Sequence, residues 1–252
     1  MKRALVCGTL ALFALVASLG ISQAQTPTGH DVRLFSSAFP GVATPARYFS
    51  LAQALVEYGP GTFSVAGSEQ SIRFFTVIEG ELQFTIGGKT DVYGVGKFFS
   101  APAGVVVKGS NEGRTALARV FVSSLVPARG EGAVTVPGSR ESSPPPVRLC
   151  TTSVKVGPLP SIVDVTQVGH RYEPGFVTPF HIMNQLHYIL QVEGTNFYEY
   201  VDGAVETYGP CQVAQMYVHR PGIMGNRTSA PSVWVITTLG IPGQPGVLPW
   251  SP

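Results

Sequence analysis

The amino-acid sequence predicts an all-β protein that contains two copies of one barrel-forming unit. Two observations support this prediction. Short runs rich in β-branched and aromatic residues alternate with turns of Gly and Pro, and these turns recur at a nearly constant interval along the chain. The composition agrees, because 29 Gly and 21 Pro accompany 44% apolar and only 13% charged residues. A chain of this kind can bury a large core between many short strands.

The first 24 residues have the layout of a secretory signal peptide. Lys2 and Arg3 precede an apolar stretch over residues 4–19, and the small residues Ser22 and Ala24 hold the −3 and −1 positions. We expect cleavage after Ala24 and export to the extracellular space or the periplasm. The rival interpretation is an uncleaved anchor, but about 16 apolar residues are fewer than the roughly 20 that cross a bilayer.

Loss of this signal would leave a mature chain without net formal charge. The whole chain has 17 Lys plus Arg and 15 Asp plus Glu, and the signal carries Lys2 and Arg3. Balanced charge gives no electrostatic reason to bind nucleic acid or an anionic membrane. We therefore expect a small-molecule ligand or substrate, and the low charge is also compatible with a homo-oligomer. Two cysteines remain, Cys150 and Cys211, and they either form one disulfide or stay as buried thiols.

Candidate strands follow one another through both halves of the chain. The clearest runs span residues 73–78, 81–86, 116–122, 187–192 and 233–238. A helical tendency is present only weakly, around residues 49–56. Antiparallel strands this short avoid exposed edges by closing into a double-sheet jelly-roll barrel.

The turn residues show that this barrel unit occurs twice. Gly80 and Gly194, each preceded by Glu, lie 114 residues apart, and the Pro-Gly pairs at 60–61 and 174–175 have the same spacing. Further turn pairs drift to offsets of 115 and 118, as small loop insertions would produce. The expected organisation is a signal at 1–24, a first barrel at 30–128, a linker rich in Pro, Gly and Ser at 129–148, and a second barrel at 149–252.

These turns resemble the cupin superfamily, specifically its two-barrel members, the bicupins. The first family motif is Gly, five residues, His-x-His, three or four residues, Glu, six residues and Gly; the second is Gly, five residues, Pro-x-Gly, two residues, His, three residues and Asn. Gly80 and Gly194 match the closing glycine of the first motif, and residues 102–104 with Asn111 match much of the second. The resemblance covers about residues 41–127 and 160–245, and it implies two tandem cupin jelly-roll barrels.

Most positions that would hold a metal in this superfamily are replaced. In its metal-binding members, two histidines, a glutamate and a third histidine from the second motif hold Fe, Mn, Ni, Cu or Zn. In the first unit these positions are taken by Gly67, Glu69, Arg73 and Val107. Because only Glu69 is a metal ligand and Arg73 would repel a cation, we expect the first barrel to bind no metal.

The second unit keeps two histidines. The same count places His181, Met183 and His187 at the first motif, and Gly225 or Asn226 where the last histidine would be. His181 and His187 are therefore the candidate ligands of one divalent transition metal. They are equally the candidate catalytic acid/base pair, because imidazole titrates near neutral pH. With a further donor, the set including Met183 would suit a soft ion such as Cu(I). Other groups that could turn inward are His170, Glu173 and His219.

Residues 179–188 are similar to the metal-binding segment of quercetinase-type flavonol dioxygenases, which reads approximately Pro-His-x-His-x-x-His-Tyr-Glu. Here Met183 replaces the second histidine, and the glutamate and the second-motif histidine are absent. In that family the metal binds the substrate hydroxylates and the glutamate takes a proton, so these losses put the dioxygenase activity in doubt. The resemblance implies a small aromatic ligand, held in a pocket whose candidate lining is Phe180, Met183, Tyr188, Tyr198, Tyr217 and Asn226.

Several functions stay open on this basis. The second barrel could hold a divergent metal-dependent oxygenase or a metal-independent isomerase or cyclase. Alternatively, the chain binds a ligand without turnover, or has a structural, storage-like role as in seed-globulin relatives. Asn226 also begins an Asn-x-Thr glycosylation sequon, which matters only in a eukaryotic host.

Overall fold

The structure, a computed structural model, describes residues 29–66, 70–113, 116–127, 144–216 and 218–250. The strands of the first half are β1 (Asp31–Ala43), β2 (Phe49–Tyr58), β3 (Phe63–Ala66), β4 (Ile72–Glu79), β5 (Glu81–Ile86), β6 (Lys89–Gly94), β7 (Phe98–Ala101), β8 (Val107–Ser110) and β9 (Ala118–Pro127). Those of the second half are β10 (Val147–Val156), β11 (Ile162–Tyr172), β12 (His181–Met183), β13 (Leu186–Glu193), β14 (Asn196–Tyr200), β15 (Val205–Tyr208), β16 (Val213–Met216), β17 (Pro221–Gly225), β18 (Ser232–Gly240) and β19 (Val247–Pro249). These ranges contain no helix of the length and apolarity needed to cross a membrane.

The strands form four antiparallel sheets, two for each barrel. The first barrel combines the sheet β10-β2-β9-β4-β7 with the sheet β3-β8-β5-β6. The second combines β1-β11-β18-β13-β16 with β15-β14-β17-β12-β19. Each pair of sheets encloses its own apolar cluster. This confirms the predicted all-β fold of two tandem jelly-roll barrels.

The two barrels exchange their first strands. β1 pairs with β11 of the second barrel over the register Asp31↔Tyr172 to Ala43↔Ile162, and β10 pairs with β2 of the first barrel. The barrels expected at 30–128 and 149–252 are each continuous in sequence. In the structure, β1 and β10 each pair with a strand of the other barrel. The expected linker at 129–148 lies mostly outside the described residues, and its last two residues already belong to β10.

The two five-stranded sheets pack back to back and form an interface between the barrels. Its apolar part includes Phe49, Leu51 and Leu55 of β2. The other face of β2 contributes Ala52, Ala54 and Val56 to the first-barrel core. Because both faces of this strand are buried, its sequence is almost continuously apolar and lacks the alternation of a half-buried strand. The weak helix expected at 49–56 is therefore wrong.

Polar and covalent links also join the barrels. The Gln167 side chain accepts a hydrogen bond from Thr76 Oγ1 at 2.6 Å and donates one to Ser123 Oγ at 2.6 Å, and all three side chains are fully buried. The structure forms the Cys150–Cys211 disulfide, with 5.2 Å between the Cα atoms. Since Cys150 lies on β10 and Cys211 just before β16, the bond ties a first-barrel strand to the second barrel.

The repeat seen in the sequence is also a repeat of backbone geometry. Gly80 and Gly194 have φ values of +67° and +69°. A Cβ at either position would lie 2.5 Å from a carbonyl oxygen, that of Leu117 or that of Pro231. Both turns therefore need glycine for its positive φ and for the close approach of the chain.

Candidate functional site

His181, Met183 and His187 converge on the interior of the second barrel. His181 and Met183 alternate with Ile182 on β12, so they share one face of that strand. Met183 is 2% exposed and belongs to the second-barrel core. His187 lies on β13 in the other sheet, on the same face as the core residue Ile189, and it is 4% exposed. The structure thus brings together the three residues that the first motif suggested.

Both imidazoles are held in the same tautomer by their own backbone. Nδ1 of His181 lies 2.8 Å from the carbonyl oxygen of Pro179, and Nδ1 of His187 lies 2.8 Å from that of Gln185. A carbonyl oxygen only accepts hydrogen bonds, so each Nδ1 must carry the proton and donate it. In the neutral ring, each Nε2 then presents a lone pair.

Burial keeps both rings neutral. Desolvation lowers the pKa of His181 and of His187 below the usual 6.5, and the hydrogen bonds to Pro179 and Gln185 oppose this shift only in part. His181 lowers the pKa of His187 further by electrostatic repulsion, so the two rings are close enough to interact. Near neutral pH the site therefore contains two neutral imidazoles, each with an unprotonated Nε2.

Asn226 is a structural residue of the turn that follows β17. Its Nδ2 donates to the carbonyl oxygens of Tyr172, at 3.1 Å, and Ala230, at 2.7 Å. Its Oδ1 accepts from the backbone N and the hydroxyl of Thr228, at 2.9 and 2.7 Å. The residue is fully buried, and both polar atoms of its side chain form hydrogen bonds within the chain. Asn226 is therefore not available to a ligand, contrary to its expected place in the pocket. The sequon is likewise inaccessible in the folded chain.

Asn111 has the same role in the first barrel, and this equivalence corrects the position of the missing histidine. Its Nδ2 donates to the carbonyl oxygens of Tyr58 and Ala116, at 2.9 and 2.8 Å. If Asn111 and Asn226 are equivalent, the second-motif histidine, four residues earlier, falls at Val107 and Gly222, not at Gly225 or Asn226. The strand register agrees, because Val107 pairs with Ile86 as Gly222 pairs with Tyr200.

Tyr198 fills the space that a side chain at Gly222 would need. A Cβ on Gly222 would lie 2.5 Å from Cε1 of Tyr198 and 2.7 Å from the backbone oxygen of Glu199. The Tyr198 ring lies 6.2 Å from the His181 ring and perpendicular to it. Burial raises the pKa of Tyr198 to about 12, so its phenol stays protonated. This predicted pocket residue does lie in the second-barrel core, beside His181.

The other predicted pocket residues lie elsewhere. Tyr188 follows His187 on β13 and points to the opposite face, into the interface between the barrels, because side chains alternate along a strand. Its hydroxyl has no hydrogen-bond partner among the described residues. Phe180 is 39% exposed at the rim, where it packs on Trp250 at 5.5 Å. Tyr217 lies outside the described residues.

A third histidine faces the same barrel, farther along its wall. Nδ1 of His170 lies 2.7 Å from Asp31 Oδ1, and the His170 ring stacks on Trp234 at 4.5 Å. His170 pairs with Trp234 on β18, whereas His187 pairs with Thr238, four residues farther along that strand. Asp31 was missed because it reaches this barrel on the exchanged strand β1. Of the other inward candidates, Glu173 pairs with Arg171 at 2.8 Å, and His219 is exposed.

The C-terminal strand β19 borders the histidines. It pairs with β12 over His181↔Pro249 to Met183↔Val247. The preceding Gly246 lies beside His187, since a Cβ built on it would be 3.6 Å from Nε2. Thus the chain end reaches the predicted site, a contact without any recognisable sequence signal.

The first barrel carries different groups at the corresponding positions. Arg73, which aligns with His187, is 1% exposed and donates to the carbonyl oxygen of Val105. Val107 belongs to the apolar core, and Glu69 lies outside the described residues. A surface groove of about 160 Å³ beside Asn111 and Glu112 lies on this barrel, away from His181 and His187.

Comparisons with known proteins find the same architecture in solved structures and a family match in the first barrel. Residues 54–123 match the family model of the Cupin domain. No curated protein matches the chain. A structure of Bacillus subtilis oxalate decarboxylase, described for its Mn(II) centres, is similar at 12% identity with a TM-score of 0.54, covering 84% of this chain and 78% of that one. A mutant of the same enzyme is 13% identical with a TM-score of 0.56, and the match covers 88% of this chain and 77% of that one. The formate complex of Lactobacillus farciminis oxalate decarboxylase is 10% identical with a TM-score of 0.54, and the match covers 87% of this chain and 88% of that one.

At these identities the solved structures establish the fold and no more. The chain has the two-barrel cupin fold, and the match to the Cupin domain lies within its first barrel.

The donor set of the second barrel does not fit a hard ion such as Mn(II). Mn(II) prefers carboxylate, carbonyl and water oxygens. Within the described ranges, no group of three or more His, Cys, Asp or Glu side chains is placed to hold a metal. His181, His187 and Met183 offer nitrogen and sulfur instead, and Gly222 provides no ligand.

Proposed function

We propose that this chain is an exported bicupin whose second barrel binds a small ligand through the unprotonated Nε2 atoms of His181 and His187. One observation carries the proposal: both Nδ1 atoms donate to backbone carbonyls at 2.8 Å, which leaves a lone pair on Nε2 of each ring. Export is supported by the signal-like first 24 residues and by the Cys150–Cys211 disulfide, since such bonds persist in oxidising compartments.

Aromatic residues elsewhere in the same barrel favour a ligand with an aromatic body. Tyr172, Phe176 and Trp234 pack together in the second barrel, with ring centroids 4.5 and 4.9 Å apart. Neutral imidazoles accept hydrogen bonds from ligand hydroxyls, and the protonated phenol of Tyr198 donates one. The first barrel acts as a scaffold in this proposal, because Arg73 and Val107 stand where the second barrel has His187 and Gly222.

The test is ligand binding by the mature chain, followed by thermal unfolding. The panel contains transition-metal ions and hydroxylated aromatics such as catechol. A ligand at one hundred times its Kd stabilises the folded state by about 2.7 kcal/mol, which raises the Tm by roughly 5–11 °C for a chain of this size. We expect the rise to vanish in His181→Ala and His187→Gln, and to persist in the exposed-histidine control His219→Gln. A rise that survives in both site variants, or no rise with any ligand, would refute the proposal.

A second candidate function is proton transfer on an aromatic metabolite, as in an isomerase or cyclase. The observation that favours it is the Asp31–His170 pair at 2.7 Å, stacked on Trp234. The carboxylate accepts from Nδ1, so Nε2 of His170 is available as a base. Turnover lost in His170→Gln, with ligand binding retained, would support this enzymatic role. Binding without turnover by the unaltered chain would leave a ligand-binding protein.

A further inference from the structure

All methionines after Met1 lie in the second-barrel core. The chain has four methionines, and Met183, Met216 and Met224 are 2%, 1% and 4% exposed in one cluster. In the first barrel, Arg73 pairs with Ala101 as His187 pairs with Met216. Likewise, Phe84 pairs with Gly109 as Tyr198 pairs with Met224. At these two positions, Met216 and Met224, the second barrel thus has thioethers where the first barrel has Ala101 and Gly109.

Two of these thioethers lie next to the histidines. Met183 is two residues from His181 on the same face of β12. Met216 of β16 is directly opposite His187 of β13. Directly opposed residues have Cβ atoms about 4.5–5.5 Å apart, within reach of a common ligand. Met224, by contrast, is opposite Tyr198 and serves as an internal comparison.

The imidazoles share one feature with metal-bound histidines. Histidines that bind metals usually donate their other ring N–H to a carboxylate or a backbone carbonyl. His181 and His187 both do so, at 2.8 Å. Thioether and thiolate ligands select soft ions, and imidazole suits copper and zinc. Of these ions, Cu(I) is the softest, so a set of two neutral imidazoles and two thioethers suits it best.

We propose that His181, Met183, His187 and Met216 form a binding site for one soft monovalent ion, copper(I), in place of the hard divalent ion of the structural neighbours. This inference rests on the proposed function and makes a metal ion the small ligand that the two Nε2 atoms of the same site bind. Gly246 borders the ring of His187, because a Cβ built on it would be in ordinary contact with Nε2 at 3.6 Å.

The test is an anaerobic titration of the mature chain with Cu(I) against a colorimetric Cu(I) chelator, with Ag(I) as a redox-stable probe and Mn(II) as the hard-ion comparison. We expect one Cu(I) or Ag(I) per chain and no Mn(II). Met183→Leu and Met216→Leu should each weaken Cu(I) binding at least tenfold, whereas the matched variant Met224→Leu should not change it. X-ray absorption should detect sulfur bound to copper, and less of it in the first two variants.

The proposed copper site is overturned if Cu(I) does not bind, if it binds without sulfur, or if all three Met→Leu variants behave alike. An aromatic ligand that binds through His181 and His187 in the absence of any Cu(I) affinity would overturn this inference and leave the proposed function standing. Copper and aromatic binding that both survive His181→Ala and His187→Gln would overturn the two together.

Discussion

Removing the Asn226 side chain should destabilise the protein without changing ligand binding. Asn226→Ala deletes four hydrogen bonds, to Tyr172, Ala230 and Thr228. At a net value of about 1 kcal/mol each, the free energy of unfolding falls by about 4 kcal/mol. The equivalent Asn111→Ala deletes three hydrogen bonds and should cost about 3 kcal/mol.

The assay is thermal unfolding of both variants beside a ligand titration. For a chain of this size, 1 kcal/mol shifts the Tm by roughly 2–4 °C, so we expect decreases of about 8–16 °C for Asn226→Ala and about 6–12 °C for Asn111→Ala. Because no Asn226 atom is left for a ligand, Kd at the histidine site should not change. A loss of affinity in Asn226→Ala with unchanged stability would show that the residue lines the pocket, and would refute the structural role.

Three further predictions concern the disulfide, the missing histidine position and pH. The double variant Cys150→Ser/Cys211→Ser should lose about 4 kcal/mol in denaturant unfolding, because the bond closes a loop with a sequence separation of 61; a loss below 1 kcal/mol would contradict this. Gly222→Ala should lower stability by about 1–3 kcal/mol in the same assay, since its Cβ would meet the ring of Tyr198; an unchanged midpoint would argue against that contact. Burial lowers the pKa of His187, so as the pH falls this residue is protonated in the unfolded chain before it is protonated in the folded one. The free energy of unfolding of the ligand-free protein should therefore decrease below about pH 6.5. The decrease should be smaller in His187→Gln, and an identical pH profile in that variant would refute the prediction.

The repeat and the inward histidines could be predicted because each depends on local chemistry. Gly80 and Gly194 need positive φ wherever the chain is placed, so their spacing is visible in the sequence. His181 and His187 were found by counting from Gly194, and the count stays valid because strand β13 joins His187 to the turn at Gly194. The same counting failed for the last histidine, because it aligned Gly222 with Gly104. The strand registers give an offset of 115 on both sides of the loop before β17, so the equivalent of Gly104 is His219, which also has a positive φ.

The lining of the site was harder to predict. Tyr188 was assigned to the pocket from its aromatic character, but the two-residue period of β13 turns it away from His187. A strand buried on both faces shows no alternation in its sequence, so either face is compatible with the pocket. Asp31 lies far from His170 in sequence, and only the exchange of β1 brings the two side chains together.

Local patterns in this chain are sufficient to predict two jelly-roll units. The resemblance to the cupin motifs adds the replacement of most metal-ligand positions and the candidate pair His181 and His187. Turn glycines, strand composition and short motif spacing all act over a few residues, and each leaves a direct trace in the sequence. Strand exchange, the contact of β19 with the histidines and the placement of Met216 opposite His187 depend on which distant strands pair. Such pairing is determined by burial summed over whole sheets, which is why it emerges only in the folded protein.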